Sequence, residues 1–224
     1  MYIPGEFKED PVISFFASRV FALLVSLVAV LVVIAPRNAT AGPLTDQVHE
    51  SVDAVLKIVS DPELKKETRT VERRRMIRQV AAELFDFTEI SQRSLGPHWR
   101  ARTPAEREEF IALFGDLLEY AYVSKIEMYS GETIRYLGET IDGEQAVVKT
   151  RIVLKQGTEV PVDYRMMQKN GRWVVYDVTI EGVSLVANYR SQFNTVIQRS
   201  GYRDLVARLK VKQVERPGTQ RATP

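Results

Sequence analysis

Cysteine is absent from the chain. That excludes disulfides, thiolate metal sites, a cysteine nucleophile and a lipid-modified N-terminal cysteine. Histidine is nearly absent: His49 and His98 fall in separate segments, which argues against a histidine-based metal site. No Gly-x-Ser-x-Gly elbow, P-loop, dinucleotide fingerprint or Ser-x-x-Lys pair occurs, so the commoner hydrolase and nucleotide chemistries have no anchor. A charge excess is missing too. Against 31 basic residues stand 29 acidic ones, and a net charge of +2 offers nucleic acid no electrostatic footprint. There is no internal repeat.

What remains is the composition of a folded domain, 45% hydrophobic and 27% charged. Residues 20–35 form one uncharged apolar run, preceded by Arg19 and ended by Pro36. It falls short of the roughly 20 residues that span a bilayer and fits a secretory h-region. Ala39-Thr40-Ala41 supplies the small residues a signal peptidase needs, although Glu6, Glu9 and Asp10 make an untidy n-region. Residues 1–41 are therefore expected to be a cleaved signal peptide. The leader carries as many acidic as basic residues, so the remainder keeps its weak positive charge. Residues 42–212 are expected to form one domain, and 213–224, with Pro217, Gly218 and Pro224, a disordered tail. Export without disulfides is compatible with a bacterial periplasm.

Apolar periodicity then changes twice along the chain, from helical to strand spacing and back. Leu44, Val48, Val52, Val55, Leu56 and Val59 recur at helical spacing up to Ser60-Asp61-Pro62. A second helix is expected through the basic stretch Arg69 to Arg78, with Val71, Ile77, Val80, Ala81 and Leu84 on its stripe. Arg73, Arg74 and Arg75 are expected to form a solvated face. Asp86 and Glu89 read as a cap for a short helix closed by Gly96. Thr103-Pro104-Ala105-Glu106 starts a long helix rich in aromatics. From Thr133 to Ile180 four strands follow, with Asp142-Gly143 and Asn170-Gly171 as two-residue hairpin signals. After Gly182, Leu185, Val186, Tyr189, Phe193, Val196 and Ile197 return to helical spacing, and Asp204 to Lys210 adds a turn. The fold class is α+β, helices first and an antiparallel meander second.

The last strand, Arg172 to Ile180, is apolar on both sides, so each face needs a cover. A two-residue loop at Asn170-Gly171 pairs Met166 with Val175 and Tyr164 with Asp177, placing Trp173 on that same face. Val174, Tyr176, Val178 and Ile180 then face the other way. Asp177 is the exception in an apolar strand. It reads either as a structural carboxylate accepting hydrogen bonds or as a general base whose pKa burial would raise. No second acid, oxyanion donor or metal accompanies it. Aromatic and apolar residues are numerous enough for a sheet wrapped by helices to enclose a lipid-sized cavity, or simply to fill a core. Periodicity leaves both open.

In several places the chain resembles the MlaC family, also described as toluene-tolerance auxiliary proteins. The resemblance rests on Phe85-Asp86-Phe87, on Leu95-Gly96 followed by Trp99, and on Thr103-Pro104 leading to Phe110 and Phe114. It continues through Trp173 to Val178, Ile180 to Leu185, Asn188-Tyr189-Arg190 and Phe193. Together these segments run from about 44 to 210. The resemblance implies an α+β domain whose helices and small sheet enclose a deep hydrophobic cavity for phospholipid acyl chains. It implies a periplasmic carrier that shuttles lipid between an outer-membrane lipoprotein–porin complex and an inner-membrane transporter carrying an MCE-domain protein, maintaining outer-membrane asymmetry. It implies no catalytic residues, no cofactor and no nucleic-acid partner.

Face and register arguments, rather than the family motif, nominate Leu118, Tyr122, Tyr164, Met166, Trp173, Val175, Leu185 and Tyr189 as lining. Two further readings stand beside the carrier. One is a cone-shaped α+β enzyme with Asp177 as base. The other is a ligand-free interaction module using the Arg69 to Arg78 surface.

Overall fold

The computed structural model describes residues 42–214. The expected leader and most of the expected tail lie outside the described residues. Helix α1 (Pro43–Ser60) starts with proline at its first position. Its N-terminus receives no local side-chain cap. Instead the Glu139 carboxylate, on the distant first strand, accepts from the Thr45 amide at 2.6 Å and from the Thr45 hydroxyl at 2.8 Å. A carboxylate at a helix N-terminus also meets the favourable end of the helix dipole. After a 3-10 turn (Glu67–Arg69), α2 (Thr70–Leu84) carries the basic stretch.

The expected caps are present. Asp86 caps α3 (Phe87–Leu95) by accepting from the Glu89 amide at 2.9 Å, and Gly96, at φ 57°, takes the left-handed position that ends it. A 3-10 helix (Gly96–Ala101) leads to α4 (Pro104–Glu127). There Thr103 and Glu106 form a reciprocal capping box, with bonds of 3.2 and 2.8 Å.

Five strands follow in meander order, all antiparallel: β1 (Thr133–Asp142), β2 (Gln145–Val153), β3 (Glu159–Lys169), β4 (Arg172–Ile180) and the short β5 (Val183–Ser184). Asn170 and Gly171 both hold positive φ, as the type I′ loop between β3 and β4 demands. The first hairpin pairs Asp142 with Gln145, so its loop is Gly143-Glu144, one residue later than the Asp-Gly signal indicated. β5 was not expected; it forms because the chain folds back after Gly182 and pairs Thr179 with Ser184. Helices α5 (Leu185–Ser200) and α6 (Tyr202–Val214) close the domain. The turn expected at Asp204 to Lys210 is thus a helix of 13 residues, two of which extend into the segment read as tail.

One register expectation is overturned. Met166 does face Val175, but Tyr164 faces Val178 rather than Asp177, which pairs with Arg165. A β-bulge leaves Tyr176 as an extra residue on β4. A period-two count through that point flips every later side chain, since one inserted residue exchanges the faces. Trp173, Val175, Val178 and Ile180 therefore belong to one apolar cluster, and Asp177 is turned away from it.

The basic stretch also departs from expectation: Val71, the second residue of α2 and 74% exposed, lies off the buried stripe. Arg73 and Arg74 are not a solvated face. Both pair with Glu127 at the end of α4, at 2.7 and 3.1 Å, and Arg73 also donates to the Leu64 carbonyl. Arg78 reaches Glu119, one helical stretch earlier on α4. Arg73, Arg74 and Arg78 fasten α2 to α4, while Arg75 is exposed as expected.

Candidate ligand-binding site

A domain of this size ordinarily buries one contiguous core. Here the buried apolar residues fall into three clusters. The helical cluster joins α3, α4, α5 and α6 around Phe110, Phe114, Tyr189 and Phe193, whose rings contact one another edge-to-face and offset. The sheet cluster joins Val148, Met166, Val175 and Val178 to Leu44 and Val48 of α1 and Leu84 of α2. A third joins Ile58 and Val59 of α1, Leu64, Ile77 of α2 and Val123 of α4.

The same helices thread two clusters each, so the three are neighbours. On α1 the passage from the sheet cluster to the third runs through Val52, Val55 and Leu56. On α4 the passage from the helical cluster runs through Leu117, Leu118, Ala121 and Tyr122. On α2 it runs through Val80. Every one of these apolar side chains is only partly buried. Along the sheet the same gradient appears. The row Ala146, Met166 and Val175 is sealed under α1, whereas the row Ile134, Ile152 and Val160 is partly accessible. The apolar interior is thus tight at its ends and loose where its three parts meet.

The polar groups in this interior are few and neutral. Tyr164 lies on the sheet face with accessible surface left, yet burial pushes its phenol up to about 12. Tyr136, on β1, stacks obliquely against His49 of α1 at 4.4 Å between ring centres. Burial first, then the nearby Tyr164 and Asp53, pushes its phenol well above the ordinary tyrosine value. Its hydroxyl is buried and has no hydrogen-bond partner among the described residues. At the exposed edge beside it, His49 and Asp53 approach to 3.3 Å.

Of the eight nominated residues, the structure gathers Tyr164, Met166, Trp173, Val175 and Leu185 in or against the sheet cluster. Leu118 packs at the margin of the helical cluster, and Tyr189 lies inside that cluster against Phe114 and Phe193. Tyr122 is partly buried near the Lys125 ammonium. Beside the nominated residues lie Val52, Val55, Leu56, Ile134, Ile152 and Val160, which face and register arguments did not nominate. Their signal was present as apolar stripes on α1 and on the outer strands, but nothing local said which helix would cover which strand.

Asp177 is 4% exposed and fully engaged. One oxygen accepts from the Val186 amide at 3.0 Å, the other from the Ser184 hydroxyl at 2.6 Å, with Arg165 at 3.7 Å. Ser184 is itself the N-cap of α5, accepting from the Ala187 amide at 3.0 Å. The carboxylate serves the start of α5, not a substrate. A separate open groove lies over Gln92, Gly96, Pro97 and Trp99, walled by Arg93, Arg100 and Arg190. Three guanidinium groups make it unsuited to acyl chains. Among the described residues no His, Asp or Glu cluster could hold a metal, and no helix is long and apolar enough to cross a membrane.

These features define an α+β domain whose apolar interior forms three clusters, joined by partly buried side chains such as Phe85. The chain belongs to the MlaC family: the family model described as MlaC protein matches residues 49–211. It is similar to the intermembrane phospholipid transport system binding protein MlaC of Haemophilus influenzae, at 25% identity over 158 residues, 68% of this chain and 70% of that one. It is also 27% identical, over 103 residues, to toluene tolerance protein ttg2D of Pseudomonas putida. That match covers 46% of this chain and 48% of the relative. Among solved structures, the phospholipid-binding protein of Ralstonia solanacearum in complex with a phospholipid superposes with a TM-score of 0.68. The identity is 28%, over 76% of this chain and 96% of the other.

Proposed function

We propose that this protein is a periplasmic phospholipid carrier that receives acyl chains where the three apolar clusters meet. It hands lipid between an outer-membrane lipoprotein–porin complex and an inner-membrane MCE-domain transporter, and so maintains the lipid asymmetry of the outer membrane. The observation that supports this reading is the run of apolar, only partly buried positions that connect the three clusters on α1, α2, α4 and the sheet. Each acyl methylene removed from water contributes roughly 0.8 kcal/mol. A continuous apolar seam is therefore enough to hold tails without any headgroup contact.

Within that reading Leu118, Tyr122, Tyr164, Trp173 and Leu185 line the seam. Met166 and Val175, both fully buried, form the floor beneath it. Tyr189 acts one layer back, through the Phe114 ring it abuts. Residues 1–41 serve as the export signal and are removed. Release follows when a partner spreads the helices or offers a competing apolar path.

Native mass spectrometry of protein purified from cells without detergent tests the reading directly. Co-purified phospholipid at about one molecule per chain supports it. A protein that emerges empty and takes up no lipid from vesicles would falsify it.

A further inference from the structure

Among the described residues, two buried side-chain polar atoms have no partner, Ser94 Oγ on α3 and the Tyr136 hydroxyl, and only the latter faces the sheet-side interior. A buried hydroxyl left unsatisfied is destabilising, and native proteins retain such groups chiefly where something else meets them. Thr150, its cross-strand neighbour, shows the alternative: that hydroxyl is also buried but donates to the Val162 carbonyl at 2.6 Å. The space around Tyr136 is apolar on the inner side, where it packs with Tyr164, Ile152 and Val160 against the sheet cluster. On the outer side it meets His49 and Asp53, whose side chains are 51% and 62% exposed. Tyr136 thus stands at the boundary between the apolar seam and solvent.

Resting on the carrier reading, we infer that the Tyr136 hydroxyl donates a hydrogen bond to an ester carbonyl oxygen of the bound phospholipid and so sets how deep the lipid sits. The ester carbonyls are the acceptors a phospholipid carries at the junction of its tails and headgroup. A phenol supplies one neutral donor, which matches a neutral carbonyl. The nearby Asp53 carboxylate repels a phosphate anion, which favours the ester over the phosphodiester as the partner.

The test compares two probes that differ in those carbonyls alone: dipalmitoyl phosphatidylglycerol and its dihexadecyl ether analogue. Delipidated wild-type protein and Tyr136→Phe are titrated with each, and their melting midpoints are recorded without lipid. Wild type is expected to bind the diester about tenfold more tightly than the diether, and Tyr136→Phe is expected to bind the two equally. The lipid-free Tyr136→Phe protein is expected to melt no lower than wild type, since it loses only an unpaired hydroxyl. Equal binding of both probes by wild type, or a diester preference that survives in Tyr136→Phe, overturns the inference. Failure of wild type to bind either probe overturns the carrier reading itself, which is a different result.

Discussion

Arg73 of α2 places a guanidinium nitrogen 2.7 Å from a carboxylate oxygen of Glu127, the last residue of α4. A carboxylate at a helix C-terminus meets the unfavourable end of the dipole, so Glu127 needs cations from elsewhere. Arg73 and Arg74 supply them, with the Arg73 and Glu127 side chains only 11% and 15% exposed. Glu127→Gln leaves two half-buried guanidinium groups underpaired. We expect a loss of about 2 kcal/mol, read as a melting point lowered by roughly 4–8 °C. Because the pair is shielded, the loss should persist in high salt. A midpoint equal to wild type would show that the clamp contributes nothing.

Acid should find the same contact. Burial opposes ionisation of Glu127, but hydrogen bonds from Arg74 and Arg73 outweigh it and hold the carboxyl below its ordinary 4.5. Asp86 behaves alike: burial opposes the charge, and Lys169 with the Glu89 amide carries it below 3.8. A carboxyl with a depressed folded-state pKa contributes stability that is complete above its unfolded value. That contribution disappears as pH falls through the folded one. The melting point should therefore hold from neutrality to about pH 5 and fall below about pH 4. Glu127→Gln should flatten part of that acid limb.

Asp177 and Ser184 hold the start of α5 together, and their effects should not add. Asp177→Asn leaves one acceptor for two donors and is expected to cost about 2 kcal/mol. Ser184→Ala removes the helix cap and is expected to cost about 1 kcal/mol. The double variant should cost less than the sum, measured by urea denaturation. Strict additivity would mean the two groups act separately.

Position on the seam should separate binding from folding. Leu118 is partly buried at the margin of the helical cluster, so Leu118→Glu is expected to lower co-purified phospholipid several-fold while the protein stays folded. Val175 is sealed in the sheet cluster. Val175→Ala is expected to cost about 2 kcal/mol of stability with occupancy little changed. Lipid quantitation on melting-point-matched samples decides between them. Normal lipid content in Leu118→Glu removes that residue from the seam.

Most elements could be read from the chain because their signals are local. Thr103-Pro104-Ala105-Glu106 announces a capping box, and Asn170-Gly171 announces a turn with positive φ at both positions. What escaped reading is what one residue does at a distance. The bulge at Tyr176 has no glycine to mark it, yet it exchanges the faces of everything from Asp177 onward. Arg73 and Arg74 could not be told from a solvated stripe, because Glu127 lies more than 50 residues away. The seam is harder still. A partly buried leucine and a core leucine share the same periodicity, and only the approach of α1 to β1 and β2 distinguishes them.

If lipid tails enter where the three apolar clusters meet, as proposed, they complete the core. Loading then acts as the last step of packing, and the melting point becomes a gauge of occupancy. A lipid present at a hundred times its dissociation constant would stabilise the fold by about 2.7 kcal/mol. Partly loaded preparations would melt in two transitions, one for each population. The three helices that thread the clusters would feel that difference together, since none of them can lose its share of lipid contact alone.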